Sequence, residues 1–244
     1  MDDNIKSEFK QKKINHIFHY TRRYDWLKKI LDSGFAPSYC HENISEFEYF
    51  IPMVSFCNIP LKDVDNYMRY GKYGIGMSME WAVRNSISPV IYIHEQTPFQ
   101  NFYSLFSSYR KYDQTLSFQD MSIKVVQYFK NWKTQYRGNE IITYHEREWR
   151  YIPNLNGKKP IIKVDDHEFK DYQDKNKIKK PHFPEKALKI NSISDLKYIT
   201  VKDEKQRFEI LDLLKLKFTD KSVTEALVGG QLLILTIDQL HNDF

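Results

Sequence analysis

The segment 144–153, with the sequence YHEREWRYIP, restricts the fold of this chain more than any other stretch. Glu146 and Glu148 lie two positions apart, so on an extended strand both carboxylates point to the same side. Trp149 favours such a strand, and Pro153 marks its end. We therefore predict a strand that carries two acids on one face. The alternative is an exposed edge strand whose acids and arginines form a ladder of solvated ion pairs.

Length and charge narrow the class of protein. A chain of 244 residues can bury a substantial core. Its net charge of +5 permits an anionic ligand or nucleic acid without requiring either. Residues 1–13 form a polar leader, and no apolar run is long enough to span a bilayer, so we expect no membrane partner and a cytoplasmic location. Cys40 and Cys57 are the only cysteines, which argues against a disulfide framework.

Hydrophobic periodicity predicts an α+β fold. Besides the strand predicted within the segment 144–153, which is called the central strand below, strands are predicted at 14–21, 53–57, 71–79, 89–93, 160–164, 196–201 and 232–237. The predicted helices lie at 25–34, 61–70, 80–85 and 205–214, with two more between 99 and 137. The remaining segments are predicted as a long aromatic loop at 35–50, a turn at 156–157 that leads from the central strand to a partner strand at 160–164, and a solvated lysine-rich excursion at 165–189.

No internal repeat or low-complexity linker divides the chain, so we predict a single domain over residues 1–244. Within it, residues 14–153 carry the motifs, and residues 154–244 add strands and helices that complete the fold.

Two common motifs are absent. His145-Glu146 begins like a zincin motif, but the position that should hold the second histidine is Trp149, and the cysteines lack paired ligand spacing, so we predict no metal. The glycine-rich segment at 71–76 is neither a dinucleotide-binding fingerprint nor a phosphate-binding loop. It favours a turn that enters a strand crowded against another backbone.

Three candidate positions on successive predicted strands resemble the plan of ADP-ribosyltransferases. These positions are His19 on an early strand, Ser55 on a middle strand, and Glu146 with Glu148 on a later one. That fold cleaves NAD in a cleft between two sheets and uses one polar residue from each of three strands. The resemblance implies an ADP-ribosyltransferase-like split β-sheet core with flanking helices.

The same resemblance implies roles for the acids. Cleavage of the nicotinamide–ribose bond passes through an oxocarbenium-like state, which a carboxylate on a ribose hydroxyl stabilises. Glu148 would be that catalytic carboxylate, and Glu146 would assist it or activate the acceptor. His19 and Thr21 would hold NAD ribose, and Ser55 would brace the pocket.

Other residues would contact the remaining parts of NAD. Phe56, Tyr70 or Tyr73 would stack on nicotinamide. Arg22 or Arg23 would clamp the pyrophosphate.

Four longer segments resemble the AbiGi-type abortive-infection family of bacterial phage-resistance proteins. They are FHYT at 18–21, IPMVSFCNIPL at 51–61, YGKYGIGMSMEWA at 70–82 and EREWRYIP at 146–153. The family is described as the antitoxin of a two-gene system whose toxin is nucleotidyltransferase-like, so the resemblance implies phage defence. The sequence departs from histidine-type transferases at Ser55-Phe56, where those enzymes carry a tyrosine.

The resemblances leave two functions open. The first is an ADP-ribosyltransferase-like enzyme of phage defence that transfers ADP-ribose from NAD to a nucleic-acid or protein acceptor. The second is a non-catalytic antitoxin that binds a cognate toxin protein. In the second case Glu146 and Glu148 form a surface ladder, and His19 is a core histidine.

Overall fold

A computed structural model describes residues 14–44, 47–63, 70–94, 124–136, 138–155, 161–162, 169–171 and 182–243. The strands are β1 (His16–Thr21), β2 (Ser38–Ile44), β3 (Phe47–Cys57), β4 (Tyr73–Ser78), β5 (Ser88–Pro89), β6 (Ile91–Ile93), β7 (Phe129–Asn131), β8 (Lys133–Tyr136), β9 (Asn139–Ile142), β10 (Glu148–Tyr151), β11 (Ile161–Ile162), β12 (Leu196–Val201) and β13 (Leu233–Thr236). The α-helices are α1 (Tyr24–Ser33), α2 (Met79–Arg84), α3 (Glu204–Lys217), α4 (Asp220–Val228) and α5 (Ile237–Asp243). Short 3₁₀ helices lie at Thr143–Glu146, Pro184–Lys186 and Ile193–Asp195.

The main sheet is mostly antiparallel, and among the described strands β3 has the largest number of pairing partners. The strand order is β13-β12-β4-β1-β3-β10-β5, and only β12 and β13 run parallel. The amino-terminal half of β3 pairs instead with β2 and β11. One strand therefore belongs to two sets of hydrogen-bonded neighbours. The two other small sheets are β6 with β7 and β8 with β9.

The main sheet opens between β1 and β3. These two strands share one register pair, Phe18 with Cys57. The opposite edge of β1 pairs with β4 along its whole length. Beyond Cys57 the contact between β1 and β3 passes to a side chain, because His19 Nδ1 lies 2.9 Å from the Ser55 carbonyl oxygen. The gap between the two strands is the place where a ligand or a partner can approach the sheet.

The largest hydrophobic core covers one face of the main sheet. Helix α1 contributes Leu27 and Leu31, which lie one turn apart and are buried. The helix ends at Gly34, whose φ of 90° is a conformation that glycine adopts most readily. Helices α2, α3 and α4 each bury two apolar residues in the same core: Trp81 and Ala82, Ile210 and Leu214, and Val223 and Ala226. The predicted strands and helices at 14–21, 25–34, 71–79, 80–85, 196–201, 205–214 and 232–237 are confirmed, with small changes in their ends.

The glycine-rich segment is crowded, as predicted. Gly71 has a φ of 156°, and a Cβ atom built there would lie 2.1 Å from the backbone oxygen of Thr21. Gly76, inside β4, leaves room for the rings of Phe18 and Tyr198 on the neighbouring strands. The glycines therefore permit close packing of β4 against its neighbours.

The prediction of a loop at 35–50 is wrong. Residues 38–44 form β2, which pairs with the first half of β3. The buried positions Tyr39 and Ile44 are separated by His41, Glu42 and Asn43, and these polar residues hide the strand periodicity. The predicted strand at 53–57 is the second half of β3.

The prediction of a second helix before residue 137 is also wrong in its described part. Only residues 124–126 are helical, and the chain then enters β7 and β8. Val126 and Phe129 are buried as their apolar character predicts, but Phe129 does so from a strand that pairs with β6. The first of the two predicted helices falls within residues 95–123, outside the described residues.

Three shorter predictions need correction. The strand predicted at 89–93 is divided at Val90 between β5, in the main sheet, and β6. The partner strand predicted at 160–164 is β11. It pairs with β3 and not with β10, which is the strand of the segment 144–153. Of the helix predicted at 61–70, residues 61–63 form a 3₁₀ turn, and 64–69 lie outside the described residues.

The segment 165–189 is not wholly solvated. Phe169, Phe183 and Leu188 are buried, and Leu188 forms a β-bridge with Phe35. The described parts of this lysine-rich excursion therefore return to the hydrophobic core. The turn predicted at 156–157 lies outside the described residues.

Candidate functional site

Arg150 is the centre of a buried ion network. Its side chain on β10 has no exposed surface. Its Nε donates to Glu148 Oε1 at 2.7 Å, and its Nη2 donates to Glu42 Oε2 at 2.9 Å. Its Nη1 donates to the backbone oxygens of Gln127 and Phe129 at 2.8 and 3.2 Å. One guanidinium group thus joins β10 to β2 and to the chain around β7.

Lys130 extends this network to the second acid. Its ammonium group contacts Glu148 Oε2 and lies 3.2 Å from Glu146 Oε2. The hydroxyl of Tyr70 donates to the other oxygen of Glu146. Both oxygens of Glu148 and both oxygens of Glu146 are therefore engaged by neighbouring side chains.

The backbone of Glu148 is fixed as well. Its N–H donates to the hydroxyl of Tyr92 at 2.8 Å. The Tyr92 ring lies edge-on to the exposed ring of Tyr144, with 5.2 Å between the ring centroids. These contacts place β6 beside the network.

The network changes the pKa of Glu148 and of Lys130. Burial alone would raise the pKa of Glu148, but the positive charges of Arg150 and Lys130 lower it to about 2. Burial opposes the charged form of Lys130, yet the surrounding carboxylates hold its pKa well above the usual value. Glu148 and Lys130 are therefore both charged at neutral pH. Burial lowers the pKa of His19, so its ring is uncharged at pH 7.

The two acids come together in a way that differs from the prediction. Residues 144–147 are not extended, because Glu146 ends a 3₁₀ helix and Arg147 adopts the left-handed conformation with φ of 44°. The strand begins only at Glu148. The turn, rather than strand alternation, brings both carboxylates to Lys130. The alternative of an exposed ladder is contradicted, since Glu146 and Glu148 are each only 4% exposed.

A cavity of about 240 Å³ lies above this network, at the gap between β1 and β3. Its charged and polar lining residues are His19, Glu42, Ser55, Lys130, Glu146 and Glu148. Aromatic and thiol side chains complete the lining: Phe18, Tyr20, Tyr70, Cys40 and Cys57.

Five of the nine predicted site residues line this cavity: His19, Ser55, Tyr70, Glu146 and Glu148. His19 is firmly held, because its Nδ1 donates to the Ser55 carbonyl and its ring packs edge-on against Phe35. Since Nδ1 carries the proton, Nε2 of the neutral ring is an acceptor. The Ser55 hydroxyl contacts Met53 Sδ at 3.2 Å.

The other four predicted residues lie elsewhere. Phe56 is in the main hydrophobic core, packed against Phe35 and Trp81, so a ligand in the cavity cannot stack on it. Tyr73 faces Tyr24 beside α3. Thr21 is buried outside the cavity lining.

The predicted pyrophosphate clamp is also displaced. Arg22 is exposed and does not line the cavity, and the same is true of Arg23, which pairs with Asp25. Lys130 is the only cation among the lining residues that the structure describes, and it already pairs with two acids.

Sequence reasoning missed Lys130 and Glu42. Lys130 lies in a segment whose apolar spacing indicates a helix, and Glu42 lies in the segment predicted as a loop. Nothing in the local pattern of either residue marks it as a site residue. Arg150 belongs to the segment 144–153, but the sequence did not predict that its side chain is buried.

The described residues lack two other kinds of feature. Within them, no group of His, Cys, Asp and Glu side chains has the arrangement needed to hold a metal ion. None of their helices combines the length and apolar character that a membrane crossing requires.

Comparison with known proteins gives two matches. The sequence model of a family described as "Putative abortive phage resistance protein AbiGi, antitoxin" matches residues 33–203. The abortive phage resistance protein AbiGi of Lactococcus lactis subsp. cremoris is 24% identical over 257 aligned positions, which cover 86% of this chain and 100% of that protein. No solved structure gives a significant match to the chain. The family match includes β2, β3, β4, β10 and the whole of β12.

Proposed function

The chain belongs to the AbiGi family of abortive phage resistance proteins, and we propose that it acts in phage defence as an antitoxin that binds a cognate toxin protein. The description of the family as an antitoxin supports this function. The engagement of Glu148 supports it from the geometry. Both oxygens of this carboxylate are held by buried cations. This arrangement is typical of a structural ion network, whereas a catalytic carboxylate needs an oxygen that is available to a substrate hydroxyl.

The size and charge of the cavity agree with a binding role. Its volume of about 240 Å³ is below the roughly 300–1,000 Å³ of typical small-molecule sites. A cavity of this size accommodates one inserted side chain at a protein interface. The exposed Tyr144 beside the network is of a residue type that is enriched at interfaces.

Toxin neutralisation tests this function. We expect the toxin of the two-gene system to arrest growth when it is expressed alone, and co-expression of this chain to restore colony formation. With purified proteins, toxin inhibition should be complete at one molecule of this chain per toxin, with a matching complex on size-exclusion chromatography. Unchanged toxicity at comparable protein levels would exclude the antitoxin function. Complete inhibition by far fewer molecules would indicate catalytic modification instead.

A second candidate function is ADP-ribosyl transfer from NAD. One observation favours it: His19, Ser55, Glu146 and Glu148 line one cavity at an opening in the sheet. The cavity would take the nicotinamide–ribose end of NAD, with His19 Nε2 as an acceptor for a ribose hydroxyl. The cavity is less suitable for the pyrophosphate of NAD, which is negatively charged. Its lining contains three acids and one lysine that is already paired with two of them.

Calorimetry with NAD tests the second candidate. If it holds, His19→Ala should weaken NAD binding, whereas Glu148→Gln should bind NAD like the wild type, because a transition-state carboxylate contributes little to substrate binding. His16→Ala is the matched control, since His16 lies on the same strand outside the cavity lining. Each variant is first checked for folding by circular dichroism. The absence of heat at millimolar NAD would reject this function.

A further inference from the structure

We propose that the cavity binds the guanidinium group of an arginine side chain that the toxin partner presents. This inference deepens the proposed antitoxin function and rests on it for the source of the arginine. It identifies the chemistry of the contact, the acceptor on this chain and the side chains around it.

The first argument is the charge of the network. Three carboxylates, Glu42, Glu146 and Glu148, face two cations, Lys130 and Arg150, so three negative charges less two positive charges leave one negative charge. His19 is neutral and does not offset it. An uncompensated charge in a partly buried site is unfavourable, and a cation that enters from outside removes this cost. The net charge of the whole chain is +5, so the cavity is a local exception that selects a cation at contact range.

The second argument is an acceptor that remains open. Arg150 occupies Oε2 of Glu42. In the part of the chain that the structure describes, Oε1 of Glu42 has no hydrogen-bond or ion-pair partner. Glu42 lines the cavity, and its side chain is 17% exposed, so it can be reached from solvent. We infer that Glu42 is the residue that accepts hydrogen bonds from the incoming guanidinium group.

The third argument concerns shape. Phe18, Tyr20 and Tyr70 line the cavity, and a planar guanidinium group stacks on aromatic rings better than an ammonium group does. Arginine also forms directional, charge-assisted hydrogen bonds with carboxylates. Exposed Tyr144, two residues from Glu146, provides an aromatic contact next to the cavity for the rest of the partner.

The test is an NMR titration of the ¹⁵N-labelled full chain. The probe is the peptide acetyl-Gly-Arg-Gly-amide, and its counterpart carries citrulline, which has a similar shape without the charge. We expect the arginine peptide to shift the amide signals of Glu42, Tyr70 and Glu146, and the citrulline peptide to leave them in place. Equal shifts with both peptides, or none with either, would overturn the inference.

Variants locate the acceptor. We expect Glu42→Gln, which retains a carbonyl for Arg150, to weaken binding of the arginine peptide about tenfold, as for the loss of one charged hydrogen bond. Glu48→Gln is the matched control on the same hairpin, because Glu48 pairs with His41 outside the cavity lining, and it should bind the peptide like the wild type. Peptide binding that is unchanged in a folded Glu42→Gln protein would contradict the assignment.

Two further measurements separate the possible outcomes. Spermidine that displaces the peptide at a lower concentration would assign the cavity to a free polyamine and overturn the arginine proposal. The titration requires no toxin, so its failure leaves the antitoxin function intact. A toxin complex that forms with wild-type affinity in Glu42→Gln would reject this inference alone. Absence of any complex would reject the proposed function.

Discussion

Replacement of Arg150 by methionine will lower the free energy of unfolding by roughly 3–5 kcal/mol, the usual effect of removing one partner from a buried ion pair. Methionine has a similar length and no charge, so the substitution leaves Glu42 without its cation and Glu148 with Lys130 alone. The backbone oxygens of Gln127 and Phe129 also lose the hydrogen bonds that Arg150 donates to them. Urea denaturation at pH 7, followed by tryptophan fluorescence and circular dichroism, measures the change.

Arg22→Met is the matched control, because Arg22 is exposed and forms no ion pair with any residue that the structure describes. Its effect should remain within about 0.5 kcal/mol, as for most surface substitutions. A loss below about 1 kcal/mol for Arg150→Met would show that the buried network contributes little to stability, since breaking such a pair normally costs several times more.

The second large effect concerns how the free energy of unfolding depends on pH. Glu148→Gln will remove the part of this dependence that Glu148 contributes. The ion network lowers the pKa of Glu148 from 4.5 to about 2 in the folded protein. The folded state therefore gains stability from this group above pH 4.5 and loses it as the pH falls towards 2. Each pKa unit corresponds to about 1.4 kcal/mol, so the full contribution is about 3 kcal/mol. In the glutamine variant this contribution is absent at every pH.

The measurement is the difference in unfolding free energy between wild type and Glu148→Gln from pH 7 to pH 3. We expect the difference to be constant above about pH 5 and to shrink below pH 4.5, as the unfolded state of the wild type takes up a proton. Glu140→Gln, a change at an acid whose side chain is 54% exposed, should follow the wild-type curve in parallel. A difference that stays constant down to pH 3 would contradict the lowered pKa.

The parts of the fold that sequence predicted best are those with regular apolar spacing. In β4 and β12 the buried positions follow one another closely, and in α1 Leu27 and Leu31 recur at helical spacing. Each of these elements buries its apolar side chains in the main core, so local pattern and tertiary packing agree.

Two of the missed elements, β2 and β7, have a role that is set by distant contacts. Strand β2 carries His41, Glu42 and Asn43, and only its pairing with β3 makes it a strand. Strand β7 holds Phe129 at a position that also fits a helix, and its parallel partner β6 lies more than 30 residues earlier. Such pairings leave no local signal, because they depend on the register between separate segments.

The candidate site follows the same division. Polar residues on separate predicted strands line one shared cavity. The residues next to them in sequence could not all face that cavity. Ser55 and Phe56 are adjacent on β3, and successive side chains on a strand point to opposite faces, so one lines the cavity and the other enters the core. Lys130 and Glu42 are added by β7 and β2, two of the strands that sequence did not predict.

The pairing of β3 with strands from distant parts of the chain has a consequence for synthesis on the ribosome. Strand β3 is complete at Cys57, but its neighbour β10 begins at Glu148, about 90 residues later. At about 5–20 residues per second, the carboxyl-terminal half of β3 remains without that neighbour for roughly 5–20 seconds. During this interval Glu42 has not met Arg150, and one edge of the nascent sheet is unpaired, which is the condition under which strands associate with other chains. Protection of the newly made amino-terminal part, by a chaperone or by an early-arriving partner, would therefore act before the site exists.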